Sequence, residues 1–300
     1  MGLTAIVLGA AAGGGFPQWN CNCEVCRLAW AGDKRVRPRT QASLAVSCDG
    51  ARWTLINASP DLRAQIQRTA RLHPQGGTRG SPIEGVVLTG AEIDQTAGLL
   101  SLRERTPFTL IATAATFAAV AGNPMFDVLS PDVVWRRSIA PGERFSLDGG
   151  IKAELFIVPG KLPLYLEGDD PDVASESAAN VGVEISDGTK TLAYVPGAAA
   201  VTPALHARLA RADVLLFDGT LFTDDEMIRT GTGTKAGRRM GHMPIEGAGG
   251  SLAALAGLAS RRIFVHINNT NPILVDGSFE RARIEAAGWE VAEDGLEIVL

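Results

Sequence analysis

The sequence predicts an α/β (α+β) fold in which two β-sheets pack face to face between outer helices, a four-layer αββα sandwich formed by residues 1–300 as one domain. Two hairpin signals support this prediction, because Asp49-Gly50 and Asp187-Gly188 each lie between two strand-like segments. Alternating strand and helix patterns follow each hairpin, so each half of the chain can build one sheet with its own helices. A chain of 300 residues is long enough to bury such cores.

In the first half, short apolar runs bounded by turn residues indicate strands, and longer periodic stretches indicate helices. Ser59 is predicted to cap the helix after the first hairpin. Asp61 is predicted to stabilise the N-terminus of the same helix through the helix dipole, although it could instead line a cleft. The predicted strands are 4–10, 43–48, 52–57, 85–88 and 108–112, and the predicted helices are 59–72, 96–104 and 114–120.

The second half repeats this alternation after a β-rich central part. The polar segment 169–178 is predicted to be a surface loop, because its composition cannot support a packed core. The predicted strands are 181–186, 191–195, 213–217, 263–267, 289–291 and 296–300, and the predicted helices are 203–210, 250–258 and 279–287.

Composition and charge favour a globular protein that acts on a small molecule. Apolar residues make up 46% of the chain, charged residues 20%, and the formal net charge is −5. No basic run is longer than a pair such as Arg238 and Arg239, so neither nucleic acid nor an anionic membrane is an expected partner. The apolar N-terminus lacks a basic leader, and no apolar stretch reaches the length of a membrane span. We therefore expect a soluble, cytoplasmic protein.

Three of the four cysteines, Cys21, Cys23 and Cys26, lie in the motif CNCEVC. This spacing can bring three thiolates together in a tight turn, and soft sulfur ligands suit tetrahedral Zn²⁺. The sequence therefore predicts a structural zinc whose fourth ligand comes from elsewhere; the alternative is three reduced thiols without metal. Cys48 is expected to be a buried apolar residue of a strand. The glycine-rich segment 9–15 opens no helix, so no nucleotide cofactor is expected.

An acidic loop follows a buried strand in LTGAEIDQTAGLL at 88–100. Together with CNCEVC and with FVHINNTNP at 264–272, this segment resembles the PqqB family of pyrroloquinoline quinone (PQQ) biosynthesis, which has the metallo-β-lactamase fold. The resemblance covers essentially the whole chain and implies a fold that agrees with the predicted sandwich. Further segments that carry it are VPGKLPLY at 158–165, FDGTLFTDDEM at 217–227 and GTGTKAGRRMGHMP at 231–244.

Active members of that superfamily carry His-x-His-x-Asp-His in the acidic loop. The resemblance places Gly90, Glu92, Asp94 and Gln95 at these positions, so only the aspartate is unchanged. A further histidine usually follows Pro-Gly, and Lys161 stands there in this chain.

Two ligand positions of the superfamily are retained, since Asp218 stands at the bridging carboxylate and His266 at the final ligand. Loss of the other imidazoles makes two-zinc hydrolysis unfavourable. The remaining catalytic candidates are Glu92, Asp94, Asp218 and His266, with help from Gln95. These ligand types suit a single, more weakly held ion, and Fe²⁺ with open positions for O₂ fits them better than Zn²⁺. The alternative is a loop of helix-capping and solvated carboxylates that holds no ion.

Two other residues are candidates for the same region. His242, in MGHMP, is either an acid or base beside the metal or a hydrogen-bonded structural histidine. Asn269 lies three residues after His266, where related phosphodiesterases of the superfamily place a zinc-binding histidine. The resemblance therefore suggests Asn269 as the place of the fourth ligand of the structural zinc. Because an amide oxygen is an uncommon zinc ligand, the alternative is a water or a carboxylate, and turn chemistry alone would also explain an asparagine there.

The resemblance implies an iron-dependent oxygenase that hydroxylates the tyrosine ring of the Glu-Tyr diamino acid from which PQQ is made. One alternative is a carrier that transports PQQ or its precursor toward the periplasm, and a second is a metal-dependent hydrolase. The expected partners are this small-molecule precursor and other PQQ-biosynthesis proteins. Candidates to bind substrate carboxylates are Arg63, Arg238 and Arg239.

Overall fold

The structure is a computed structural model that describes residues 2–167 and 175–300. Two seven-stranded sheets lie face to face with helices on their outer faces, which confirms the predicted four-layer sandwich. In spatial order, the first sheet contains β14 (Glu297–Val299), β1 (Thr4–Gly9), β2 (Ser43–Ser47), β3 (Trp53–Ile56), β4 (Ile83–Val87), β5 (Phe108–Ala112) and β6 (Val134–Ser138). The second contains β13 (Trp289–Val291), β12 (Arg261–Val265), β11 (Val214–Asp218), β10 (Thr191–Val195), β9 (Val181–Ser186), β8 (Lys152–Ile157) and β7 (Arg144–Ser146).

The helices are short, and several connections contain a single 3₁₀ turn. No helix in the described part of the chain is both long enough and apolar enough to cross a membrane. The α-helices are α1 (Glu24–Trp30), α2 (Leu62–Arg68), α3 (Ile93–Thr96), α4 (Ala114–Ala121), α5 (Pro203–Leu209), α6 (Glu226–Arg229), α7 (Ser251–Ala254) and α8 (Phe279–Ala286).

Three apolar layers hold the four structural layers together. The middle layer lies between the sheets, where Leu44 and Ile56 of the first sheet pack with Leu155 and Leu216 of the second, all fully buried. One outer layer lies between the first sheet and helices α2 and α4, and the other between the second sheet and helices α1, α5 and α8. Each fully buried Leu or Ile contributes roughly 1.5–3 kcal/mol. The sandwich is therefore a rigid support for the loops at its edge.

Parallel strand pairing brings the functional loops to one edge. In each sheet an antiparallel hairpin, β2–β3 or β9–β10, leads into a run of parallel strands, β3 to β6 or β10 to β13. Parallel strands end at the same edge of a sheet, so the loops that follow β4, β10, β11 and β12 emerge together.

The helix after the first hairpin differs from its prediction. Helix α2 ends at Arg68, and only a 3₁₀ turn, Ala70–Leu72, follows it. Ser59 does not cap it, because the Ser59 hydroxyl donates to Gln65 Oε1 at 3.1 Å. Asp61 occupies the N-cap position, but its carboxylate makes no capping bond and accepts instead from the backbone and side-chain nitrogens of Gln41. The predicted cap at Ser59 was wrong, because Gln65 of the same helix takes its hydroxyl. Asp61 does stand at the helix N-terminus, and its effect through the helix dipole stays a prediction.

Several other elements differ in extent. The predicted helix 96–104 is α3 followed by a 3₁₀ segment, Ala97–Leu102, and the predicted helix 250–258 forms only α7 before Gly257 turns the chain at φ +77°. Helix α1 was not predicted, and neither were strands β6 to β8. Strand β6 has the burial pattern of an edge strand, with one buried residue and four exposed ones, so it shows no alternation. In the predicted loop 169–178, residues 169–174 lie outside the described residues.

Candidate functional site

A cavity of about 400 Å³ opens at the edge where the loops emerge. Its lining includes Asp94 from the loop after β4, Thr220 from the loop after β11, and His266 from the end of β12. His242 reaches it from the segment 231–244, and Gly13 from the glycine-rich segment. The structure therefore brings together residues from both ends of the chain, from Gly13 to His266.

Three of the predicted residues form one cluster at the cavity, which two of them, His242 and His266, line. Asp218, His242 and His266 each offer one potential ligand atom, and these atoms lie within 4.8 Å of one another. Asp218 Oδ2 accepts from His242 Nδ1 at 2.7 Å and from the Ala198 backbone N–H at 2.9 Å. The two imidazole rings stack with their centroids 5.1 Å apart. Two nitrogen donors and a fully buried carboxylate therefore face a common point.

Asp94 joins this cluster through His266. Its Oδ2 lies 2.9 Å from His266 Nε2, so a second carboxylate faces the same space. Gln95 does not reach the cluster, because its Oε1 accepts from the Glu92 backbone N–H at 3.1 Å and its Nε2 lies 3.5 Å from Thr89 Oγ1. Gln95 therefore serves the first turn of α3 as part of a capping box.

Glu92 lines the cavity but has other partners. Its Oε1 accepts from Lys161 Nζ at 3.0 Å, and both carboxylate oxygens lie 3.2 Å from the Leu164 backbone N–H. Lys161, at the position where the superfamily has a histidine, thus supplies a positive charge next to the acidic loop. An ion that recruited Glu92 would have to take the place of this lysine.

Thr220 is a functional residue that sequence reasoning missed. Its Oγ1 donates to Asp218 Oδ1 at 2.6 Å and lies 2.9 Å from His266 Nδ1 and 3.1 Å from His242 Nδ1. The hydroxyl has one proton, so when it donates to the carboxylate it accepts from an imidazole N–H. This arrangement orients the rings of both histidines. The signal was present in FDGT, where a hydroxyl residue follows Asp218 by two positions.

His266 adopts a backbone conformation that non-glycine residues rarely use. Its φ is 55°, in the left-handed region. Thr220 Oγ1 also lies 3.0 Å from the His266 carbonyl oxygen, so Thr220 packs against this turn while its proton goes to Asp218. Such strain often occurs at functional sites, where the surrounding structure maintains it. Here it directs the imidazole into the cavity immediately after strand β12.

The electrostatics of the cluster favour a cation. Burial alone would raise the pKa of Asp94, but the hydrogen bond and charge of His266 lower it below its ordinary value. Burial would likewise raise the pKa of Asp218, but the two imidazoles lower it. Burial opposes charge on His266, yet the bond to Asp94 and the charge of Asp218 raise its pKa. Both carboxylates are therefore ionised and are compensated by positive charge.

The CNCEVC motif forms a second cluster. Cys21, Cys23 and Cys26 place their sulfur atoms within 4.8 Å of one another, as the motif predicted. Cys23 caps helix α1, because its sulfur accepts from the Cys26 backbone N–H at 3.5 Å. The amide Nδ2 of Asn269 lies 3.0 Å from the Cys21 sulfur and 3.3 Å from the Cys26 sulfur. Asn269 thus lies on the fourth side of the thiol cluster with its amide nitrogen toward the sulfurs, and its role as the fourth ligand stays a prediction.

The donor set of the thiol cluster fits a tetrahedral soft cation. Burial raises the pKa of Cys23 to about 12 and also raises that of Cys26. Thiolates this close together repel one another, and Zn²⁺ offsets such repulsion in many proteins. The Asn269 amide can also turn its oxygen toward the sulfurs, because its oxygen and nitrogen ends have the same shape. The residues present therefore fit a zinc ion.

Glu226 is a buried carboxyl group that contacts the loop after β12. Its Oε1 accepts from Thr270 Oγ1 at 2.6 Å and its Oε2 from the Phe222 backbone N–H at 2.7 Å. Thr270 also accepts from Asn268, which lines the cavity. Burial raises the pKa of Glu226 from its ordinary value of 4.5 to about 7, although these hydrogen bonds oppose the rise. Glu226 thus connects the floor of the cavity to the loop that contains Asn269.

Replacing Glu226 with Gln is expected to stabilise the protein in mild alkali. Because the folded pKa is above the unfolded one, the stabilisation from protonated Glu226 is complete below about pH 4.5 and is lost as the pH rises through about 7. The variant Glu226→Gln mimics the protonated acid. Its free energy of unfolding should be about 2–3 kcal/mol higher than that of the wild type near pH 8 and equal to it near pH 4.5. Urea unfolding at both pH values measures this, and an equal difference at both would contradict it.

Comparisons with known proteins agree with the fold. Residues 52–267 match the beta-lactamase superfamily domain. The chain is 56% identical over 296 residues to coenzyme PQQ synthesis protein B of Methylorubrum extorquens, covering 98% of this chain and 99% of that protein. It is 56% identical over 295 residues to the protein of the same name from Ruegeria pomeroyi, with 98% and 99% covered.

A solved structure gives the same result. The crystal structure of Zn²⁺-bound PqqB from Methylobacterium extorquens superimposes on this chain with a TM-score of 0.97 at 56% identity, covering 99% of this chain and 100% of that one. Identity at this level over nearly the full length, together with the superfamily match and the shared fold, shows the family. The chain belongs to the coenzyme PQQ synthesis protein B family, PqqB, within the β-lactamase superfamily.

Proposed function

We propose that this protein acts in PQQ biosynthesis as an iron-dependent oxygenase that hydroxylates the tyrosine ring of the Glu-Tyr diamino acid precursor. The observation that carries this proposal is the position of His242. Reasoning from the sequence found one histidine ligand, His266, whereas the cavity contains two imidazoles next to two carboxylates. This set includes the two histidines and one carboxylate that non-haem Fe²⁺ oxygenases use.

The proposed ligands of the active-site ion are Asp94, Asp218, His242 and His266, with Glu92 as a peripheral member. Two anionic carboxylates attract a divalent cation, and the mixed nitrogen and oxygen donors suit Fe²⁺. When bound, Fe²⁺ would supply the O₂ activation that no side chain in the cavity can provide. The Zn²⁺-bound relative supports metal binding in the family, and we propose that zinc occupies the site formed by Cys21, Cys23, Cys26 and Asn269 in this chain.

The surrounding residues have roles that do not depend on the identity of the ion. Thr220 orients Asp218 and both imidazoles, so the donors are in place before a ligand binds. Lys161 compensates Glu92 at the rim. The cavity volume of about 400 Å³ is within the range of small-molecule sites, which supports a diamino acid as the substrate.

Oxygen incorporation tests the proposal. Each hydroxylation converts a ring C–H to C–OH with one atom of O₂ while the other atom leaves as water, so two electrons are needed and ascorbate is added as the reductant. We expect anaerobically purified protein loaded with Fe²⁺ to incorporate ¹⁸O from ¹⁸O₂ into the diamino acid, as measured by mass spectrometry. Protein loaded with Zn²⁺ alone is the control and should give no labelled product.

The same assay separates the alternatives. Cleavage of the diamino acid by the Zn²⁺-loaded protein without O₂ would instead support a hydrolase. Tight binding of the diamino acid without any oxygen-dependent product would support a carrier. Either result would contradict the proposed oxygenase.

A further inference from the structure

The rim of the cavity contains a carboxylate that is shared by three cations. Glu167 contacts Lys161 through Oε1, and its Oε2 lies 3.6 Å from Lys235 Nζ and 3.8 Å from Arg239 Nη1. Its side chain is only 7% exposed. Burial alone would raise the pKa of Glu167, but the three cations lower it, so the group is ionised. One buried negative charge therefore faces three positive charges.

The three cations differ in how fully they are paired. Lys161 is well satisfied, because it also donates to Glu92 Oε1 at 3.0 Å and to the Leu162 carbonyl at 3.3 Å. Lys235 and Arg239 are both farther from Glu167 than a hydrogen bond allows. The Nη1 atom of Arg239 is buried and has no hydrogen-bond partner among the described residues. A buried donor without an acceptor is costly, so this position favours an acceptor that a ligand brings.

These donors lie next to the candidate metal site. Lys235 and Glu167 line the same cavity as His242 and His266. Lys235 and Arg239 belong to the same segment of chain as His242, seven and three residues before it. Among the described lining residues, Lys161 and Lys235 are the only lysines or arginines. Arg239 lies just behind this lining, because it contacts Glu167 and directly precedes Met240, which both line the cavity. A ligand that extends from the two imidazoles to the rim would therefore meet Lys235 and come close to Arg239.

We propose that Lys235 and Arg239 bind a carboxylate of the ligand that occupies the cavity, and that Glu167 is the internal counter-ion that keeps these two cations in place in the free protein. The ligand class is a small aromatic molecule with several carboxylates. Arg239 suits this role, because a guanidinium can hold a carboxylate with two parallel hydrogen bonds. The choice of ligand rests on the proposed function, since PQQ and its precursor both belong to this class.

The neighbouring arginine provides a matched control. Arg238 is in the same 3₁₀ turn, Arg238–Met240, but its Nη2 donates to the carbonyls of Ala248 at 3.1 Å and Gly249 at 3.2 Å. It does not line the cavity. Arg63, the third arginine that the sequence suggested, lies exposed on helix α2 and does not line the cavity either. Arg239 is not a lining residue itself, but of the three arginines it is the one that contacts Glu167, which lines the cavity, and that has a buried Nη1 without a hydrogen-bond partner among the described residues.

The test measures binding of PQQ, a tricarboxylate, and of its neutral trimethyl ester to the full chain by calorimetry under argon. Replacing Arg239 with Gln, or Lys235 with Gln, is expected to weaken PQQ binding about tenfold or more while leaving the affinity for the ester unchanged. Arg238→Gln should bind both ligands as the wild type does. Arg239→Lys, which keeps the charge but loses the paired bonds, should show an intermediate loss. Thermal unfolding of each variant confirms that it is folded.

Three results would overturn the inference: equal affinity for PQQ in Arg239→Gln and Arg238→Gln, the same loss for the ester as for PQQ, or no PQQ binding by the wild type. Its failure can be told apart from that of the proposed function, because the binding assay involves no turnover. If the binding pattern appears without ¹⁸O incorporation, the carboxylate site stands and the oxygenase proposal falls. If the label is incorporated but the variants bind PQQ like the wild type, the reverse holds.

Discussion

Replacing Asp218 with Ala is expected to remove the active-site ion and to reduce turnover at least about a hundredfold. Asp218 is fully buried and is the residue that both Thr220 and His242 contact, so its loss removes a proposed ligand and also releases the imidazole. Metal content of Fe²⁺-loaded protein and the rate of diamino acid hydroxylation measure the two effects. Zinc bound by the thiol cluster should be unchanged.

Asp213→Ala is the matched control for this variant. Asp213 immediately precedes strand β11, whose last residue is Asp218, and it pairs with Lys190 at the surface. The same chemical change at the opposite end of the strand should leave iron content and turnover unaltered. Normal iron content in Asp218→Ala would show that this carboxylate does not hold the ion.

Replacing Cys26 with Ser is expected to release the structural zinc and to lower the free energy of unfolding by roughly 3–5 kcal/mol. Cys26 is buried in the apolar layer that joins α1 to the second sheet, and a neutral hydroxyl replaces a soft thiolate ligand poorly. Elemental analysis and denaturant unfolding measure the loss. Asn269, which lies three residues after His266, contacts the thiol cluster. Loss of the zinc should therefore also make the loop after β12 less well ordered.

Cys48→Ser controls for the general effect of replacing a thiol. Cys48 was expected to be buried, but it is only partly buried and packs at the margin of the core between the sheets. It lies outside the thiol cluster, so its replacement should retain zinc and cost little stability. If Cys26→Ser kept its zinc and unfolded like Cys48→Ser, the thiols would not form a metal site.

The order of the layers was predictable because hairpin and alternation signals are local. The hairpin predicted at 181–186 and 191–195 agrees with strands β9 and β10 to the residue. Elements with weaker signals were missed, as in α1, whose seven residues include only two buried ones. That residues 1–300 form one domain stays a prediction.

The candidate site was predictable as a set of residues but not as a geometry. The motifs identified Asp94, Asp218 and His266, which the structure brings together. The place of His242 depends on how the segment 231–244 folds back against Gly197 and Asp218, which no local pattern encodes. Likewise, the bond between Glu92 and Lys161 joins residues 69 positions apart.

The most direct test of the central claim, that two imidazoles and two carboxylates hold one iron ion, is electron paramagnetic resonance of the Fe²⁺-loaded protein treated with nitric oxide. A single ion with an open position should give the high-spin iron–nitrosyl signal, at one iron per chain. The signal should be absent from Asp218→Ala and from His242→Ala, and unchanged in Asp213→Ala. No signal in the wild type, or a signal that survives in both cluster variants, would contradict the claim.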